Sequence, residues 1–190
     1  ARDLINDSIF PLTYRHQMME IFLLVNEMGL NLAFYDGKAA KDLSNADIRQ
    51  HYQKLRQNNQ IDLFRRRILA IPLVREALYR STCQFLNSTQ VLVLIDCILH
   101  KGNVVTNFAT GQGKTPLDAA KVTLALLSVP RAHVTTVSLE DAKRDIERYR
   151  AFYELLAIPC STKPITSNSS PEDYQTHGVN YSIFSELSLF

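Results

Sequence analysis

The sequence predicts an α/β fold in which a parallel sheet core follows a helical portion filling the lower half of the chain. Three observations predict it. Apolar residues recur at three- and four-residue spacing through the first ninety residues, short β-branched runs appear only after them, and a glycine-rich turn separates one such run from an apolar-striped helix. With 190 residues, 46% of them hydrophobic and including eight Tyr and nine Phe, the chain can bury a real core. Its length suits one domain, or a piece of a larger machine.

Taken in order, Tyr14 to Met28 carries Met18, Ile21, Phe22, Val25 and Met28 at helical spacing, with Gly29 placed to stop it. Because Met18, Met19, Phe22, Leu23 and Leu24 surround much of its circumference, this helix must be covered, either by the core of its own domain or by a partner. Ser44 and Asp47 form a capping-box pair before the stripe Ile48, Tyr52 and Leu55, giving a helix to about Asn58. Ile61, Phe64, Ile68 and Leu69 continue the helical period, and Pro72 stands where a further helix begins, with Val74, Leu78 and Phe85 inside it. Val91, Leu92, Leu94, Ile95, Ile98 and Leu99 predict one more buried helix.

Beyond His100-Lys101-Gly102 the pattern changes. Asn103-Val104-Val105-Thr106-Asn107 reads as a strand, Leu117 to Leu127 as a helix and His133-Val134-Thr135-Thr136-Val137 as a second strand. A helix over 139–156 follows Ser138 as N-cap, with Glu140 and Asp141 in its first turn as structural acids. The breaker-rich stretch from Thr162 to Pro171 is a surface loop before the last strand.

Charge and composition exclude several function classes. A net charge of +2 is too small to hold nucleic acid or anionic lipid by electrostatics alone. Three consecutive arginines, Arg65 to Arg67, fan over about 200° of a helix and read as a solvated, locally paired cluster. The odd set Cys83, Cys97 and Cys160 lacks C-x-x-C spacing and reads as buried, inert thiols in a reducing compartment. His16, His51, His100, His133 and His177 lie apart without metal-ligand spacing. No stretch approaches the ~18 apolar residues of a membrane span. The start Ala1-Arg2-Asp3 reads as that of an excised segment and not as a signal peptide.

The most informative segment is Ala109-Thr110-Gly111-Gln112-Gly113-Lys114-Thr115 between a strand and a helix. Glycine turns leave backbone N–H groups pointing inward around closely spaced phosphates, and the helix N-terminus adds its positive dipole end. Lys114 then serves the β- and γ-phosphates, and the Thr115 hydroxyl ligates Mg2+. Pro116 is tolerated in the first helical turn, where its missing N–H is not needed. The full G-x-x-x-x-G-K-[ST] pattern fails at Phe108; the T-G-x-G-K-T form of helicase-like motors is present instead.

The flanking residues carry a resemblance to the nucleotide-binding motor domain of the SecA preprotein translocase ATPase family. Thr110-Gly111-Gln112-Gly113-Lys114-Thr115 resembles that family's T-G-E-G-K-T, and Val134 to Asp145 is similar to V-V-T-V-N-D-Y-L-A-x-R-D. Phe152 to Ile158 resembles L-Y-E-F-L-G-L, and Gly178-Val179-Asn180-Tyr181 stands where the family has Y-G-T-N-N. The likeness extends over residues 43 to 190. It implies a RecA-like P-loop NTPase core with ATP and Mg2+ as cofactors, Thr110, Gly111, Gln112, Gly113, Lys114, Thr115 and Arg144 around the nucleotide, and Thr115 on the metal. Ser138-Leu139 replaces the family's Asn-Asp, while the matching Arg144 and Asp145 are implied as contributors near the nucleotide. Two further departures stand out. The family's adenine-binding Gln lies 21 residues before the P-loop Lys, which is Val93 here, with Gln90 three residues early. Motors of this kind also need a D-E-x-D segment, and no Asp-Glu dipeptide occurs in the 190 residues.

The expected organisation is therefore a helical region over 1–90 and a P-loop portion over 91–190, an incomplete motor domain that stops before the Walker B segment and does not turn over ATP alone. The function expected is that of an ATP-binding, SecA-like motor fragment or paralogue in protein transport, cytoplasmic or peripheral to a membrane. Its partners would be nucleotide and another protein or the remainder of the parent chain, with no specific nucleic acid. The alternative is a degenerate SecA-like interaction module. A nucleic-acid helicase ranks last, because Thr136-Val137-Ser138-Leu139 does not supply the P-T-R-E-L-type segment.

Overall fold

A computed structural model of the chain describes residues 12–31, 34–100 and 113–183. The expected strand over 103–107 lies outside the described residues. The described part holds two short 3-10 turns, at Ala40–Asp42 and Pro171–Asp173, and six α-helices and two strands: α1 (Leu12–Leu30), α2 (Asn45–Gln57), α3 (Leu63–Thr82), α4 (Ser88–Leu99), α5 (Lys114–Ala125), β1 (Arg131–Thr136), α6 (Leu139–Leu155) and β2 (Gly178–Ile183). The strands pair in parallel, Arg131 opposite Gly178 through Thr136 opposite Ile183, with α6 as their crossover. Parallel neighbours require such a crossover, so β1, α6 and β2 form a βαβ unit.

Local signals explain the boundaries. The Ser44 hydroxyl accepts from Asp47 N at 3.1 Å while the Asp47 carboxylate accepts from Ser44 N, the reciprocal cap anticipated for α2. Asn87 and Gln90 make the same exchange at the head of α4. Ser138 caps α6 by accepting from Asp141 N at 3.1 Å.

The region between Asp62 and Thr82 differs from expectation. It is one continuous helix, α3, with Pro72 inside and buried, and not two helices meeting at the proline. Packing of Ile68, Ile71, Leu73, Val74 and Leu78, all buried, outweighs the one backbone hydrogen bond that Pro72 forgoes. Cys83 then ends the helix in the left-handed region, at φ 56°, which leaves Phe85 beyond the helix and exposed.

The arginine run also departs from the solvated reading. Arg65 is exposed, Arg67 is half-buried, and Arg66 is buried with its guanidinium donating to Leu55 O at 3.5 Å. The fan of successive helical positions is what sends the three side chains into different surroundings. Cys83 is exposed and Cys97 and Cys160 are half-buried, so the thiols are less enclosed than their apolar neighbours in sequence suggested.

One apolar core joins all these elements, from Met18, Phe22, Val25 and Met28 of α1 to Phe152 and Tyr153 of α6 and Tyr181 of β2. The buried stripe of α1 completes this core, while Leu23 and Leu24 on its other side remain 56% and 44% exposed. The helical portion also caps the sheet portion. Arg49 of α2 donates to Leu155 O and Glu154 O, and Gln53 to Leu156 O at 2.6 Å, satisfying carbonyls at the C-terminal end of α6.

The outer edge of β2 is covered by the chain itself. Val179 N donates to Pro159 O, Ser161 N to Val179 O and Ile165 N to Tyr181 O. Gly178 makes this approach possible, since a Cβ there would stand 2.1 Å from Pro159 O.

Candidate functional site

In a parallel sheet the ligand crevice lies beyond the carboxyl ends of the strands, at helix N-termini. Two helix N-termini are candidates for it: that of α5, headed by Gly113, and that of α6, which begins three residues after β1 ends at Thr136. Of the loop residues singled out in the sequence, Thr110, Gly111 and Gln112 lie outside the described residues. Gly113, Lys114, Thr115 and Arg144 lie within them.

Gly113 is the N-cap of α5 in the left-handed region, φ 74° and ψ 48°, a conformation glycine adopts without steric cost. Its carbonyl accepts from Gln90 Nε2 at 2.9 Å, and a Cβ built on it would meet that nitrogen at 2.5 Å. Lys114 opens α5 as an exposed residue that forms no ion pair among the described residues. Thr115 follows, half-buried, and Pro116 is buried within the first turn.

Gln90 lies three residues before the position that the family's spacing gives for an adenine-binding Gln. Its side-chain oxygen accepts from Asn87 N at 2.8 Å and its nitrogen reaches Gly113, so both ends of the amide are engaged in bracing the two helix N-termini. Val93, the position that carries the adenine-binding Gln by count, is instead half-buried and packs against the core. The signal in the sequence was the N-x-x-Q capping pattern at Asn87, which fixes where the Gln90 side chain turns back.

Arg144 sits in the second turn of α6. Its NH1 approaches Asp141 Oδ1 at 2.7 Å, and NH2 and Nε approach Asp145 Oδ1 at 3.2 Å. Asp145, which the resemblance places with Arg144 near the nucleotide, is only 4% exposed, a burial that the sequence did not announce. Its place on the α6 stripe with Ala142, Ile146, Tyr149 and Tyr153 was the available clue. Burial pushes its carboxyl up, and the Arg144 guanidinium opposes that push.

Asp118 lies one turn beyond Thr115 on α5. The residue is exposed and lines a groove of about 430 Å³ between α5 and β1, with Lys121, His133 and Thr135. Desolvation nevertheless raises its carboxyl most, Lys121 opposes this, Asp145 raises it further and Lys114 lowers it. One carboxylate therefore feels both the lysine at the head of α5 and the buried acid of α6. Tyr149, pushed up to about 12 by burial, donates to Gln84 Oε1 at 3.0 Å beside the same cluster.

Among the described residues no group of His, Cys, Asp and Glu is arranged to hold a metal ion, and no helix is long and apolar enough to cross a membrane.

A parallel βαβ unit with a glycine-headed helix and an exposed lysine at its first position defines a candidate anion site at the mouth of an α/β domain. The chain belongs to the SecA DEAD-like domain family, whose model matches residues 31–188. It is 35% identical over 103 residues to the protein translocase subunit SecA of Brachyspira hyodysenteriae, covering 54% of this chain and 10% of that protein. It is 33% identical over 118 residues to the protein translocase subunit SecA of Halothermothrix orenii, covering 58% of this chain and 14% of that protein. The matched stretch is thus a small fraction of the length of these curated relatives.

Proposed function

We propose that the chain is the phosphate-binding part of a SecA-like motor, taking ATP at Thr110, Gly111, Gln112, Gly113, Lys114 and Thr115, with Arg144 approaching from α6. The observation that carries this reading is the left-handed Gly113 at the head of α5 with an exposed Lys114 beside it. Backbone N–H groups at a helix N-terminus attract negative charge, and Lys114, with no ion pair among the described residues, has its ammonium available for a phosphate. Residues of this kind fit a triphosphate.

Thr115 is the residue we assign to Mg2+, a hard cation suited to a hydroxyl and phosphate oxygens. Bound there, the ion would neutralise phosphate charge. Arg144 adds a delocalised cation whose planar fork matches a phosphate. Since Val93 packs against the core and both ends of the Gln90 amide are bonded to backbone, the phosphates supply most of the affinity and the base little.

Two boundaries go with the proposal. The helical region over 1–90 supports the P-loop portion over 91–190, and the assembly works in the cytoplasm at a membrane surface, with nucleotide and the rest of a translocation motor as partners. The relatives' designation as protein translocase subunits supports the transport setting. No observation favours the interaction-module alternative over this one.

Competition binding tests the phosphate-led reading. Labelled ATP bound to the chain in the presence of Mg2+ should be displaced by pyrophosphate and about equally by GTP, and hardly by adenosine. Displacement by adenosine but not by pyrophosphate would contradict it.

A further inference from the structure

We infer that Asp145 is a positioning residue for phosphate binding, acting through Arg144, whose guanidinium it fixes toward the nucleotide; this rests on the ATP-binding reading above. The geometry begins with an inversion of the usual surface pair. The carboxylate is the buried partner, its side chain 6% exposed, while the guanidinium it holds is 59% exposed. A buried acid is costly unless paired, so α6 retains Asp145 for what it holds and not for apolar packing.

The contacts orient Arg144 in a defined way. Asp145 Oδ1 faces Nε and NH2 together, and Asp141 Oδ1 takes NH1 from the preceding turn. A guanidinium has five N–H groups in one plane. Three are directed at the two carboxylates, which leaves one on each terminal nitrogen to meet an incoming oxyanion. Two anchors on different turns of one helix remove the rotational freedom an exposed arginine would otherwise lose on binding.

The location fits the same purpose. Arg144 lies on the helix that begins beyond the carboxyl end of β1, and the Asp118 carboxyl of α5 is raised by Asp145 and lowered by Lys114. Among the described residues Asp145 forms its ion pair with Arg144, and Arg148 adds only a weaker pull on its carboxyl.

A double-mutant cycle on the full 190-residue chain tests the inference, with ATP affinity and the nucleotide-free melting temperature read on each variant. Asp145→Asn and Arg144→Ala should each weaken ATP about tenfold, the equivalent of one charge-assisted hydrogen bond, and the double variant should bind no more weakly than either single one. Additive losses, or an Asp145→Asn affinity within twofold of the parent, would overturn it. A purely structural role would lower the melting temperature and weaken ATP equally in the Arg144→Ala background. Should Asp145→Asn fail to fold, Asp141→Asn reads the other anchor: weakening that disappears in the Arg144→Ala background supports the inference, and unchanged affinity overturns it. A parent chain that binds no ATP defeats the binding proposal and this inference together, whereas failure of the cycle alone leaves ATP binding standing.

Discussion

Gln90 Nε2 donates to Gly113 O at 2.9 Å, joining the first turn of α4 to the glycine that heads α5. The same amide accepts from Asn87 N, so the α4 cap and the glycine at the head of α5 share one side chain. Any movement of Gly113 must disturb the α4 cap.

A first prediction follows from the lack of space at Gly113. Gly113→Ala adds the left-handed cost of a Cβ, ~1–2 kcal/mol, and a collision with Gln90 Nε2. In the Gln90→Ala background the collision is gone and only the backbone cost remains. Urea unfolding of the parent and the three variants should therefore show Gly113→Ala costing less when Gln90 is absent; equal costs would mean the amide yields freely.

Capping acids set the acid limb of stability. The Asp173 carboxyl is held below its usual range, first by Lys163, whose ammonium lies 3.0 Å away, and next by the Ser170 backbone N–H. Hydrogen bonds from the Ser44 hydroxyl and then the Ser44 N–H do the same for Asp47. A carboxyl lowered in the folded state stabilises above its unfolded value, about pH 4, and that contribution is lost as pH falls through the folded value. Asp173→Asn and Asp47→Asn should melt earlier than the parent at pH 7, with the gap closing below about pH 4. A gap that persisted or widened in acid would have the wrong sign.

Most of this fold was legible in sequence. The stripes of α1, α2 and α4 and the Ser44 and Ser138 caps are local signals, read without knowing what packs where. What escaped depended on distant partners. Pro72 inside α3 is tolerated because the residues around it are buried by other elements, Arg66 is buried against a carbonyl eleven residues away, and Asp145 is paired inside a stripe that reads as apolar. At the candidate site the helix head was evident from Gly113 and Lys114, but the Gln90 contact spans 23 residues and only the fold could show it.

The capping of α6 by α2 gives a third prediction. Gln53 Nε2 donates to Leu156 O at 2.6 Å and to Ala157 O at 3.3 Å, carbonyls the helix cannot satisfy itself. Gln53→Ala should cost about 1 kcal/mol in chemical denaturation. Hydrogen exchange should quicken at the last turn of α6 before it quickens in α2; unchanged exchange there would show that water replaces the amide without loss.

A fourth prediction concerns turnover. The 190 residues contain no Asp-Glu dipeptide, and on the motor reading that pair supplies the acid that polarises an attacking water, so the chain alone should release no phosphate steadily from ATP. Steady release abolished by Lys114→Ala would show that another group performs that step.

The most direct measurement is calorimetric titration of ATP with Mg2+ into the chain and into its Lys114→Ala variant. The account predicts saturable binding to the parent and at least a tenfold loss in the variant, whose melting temperature stays unchanged because Lys114 is exposed. Equal affinity for both chains, or no binding to the parent, would contradict it.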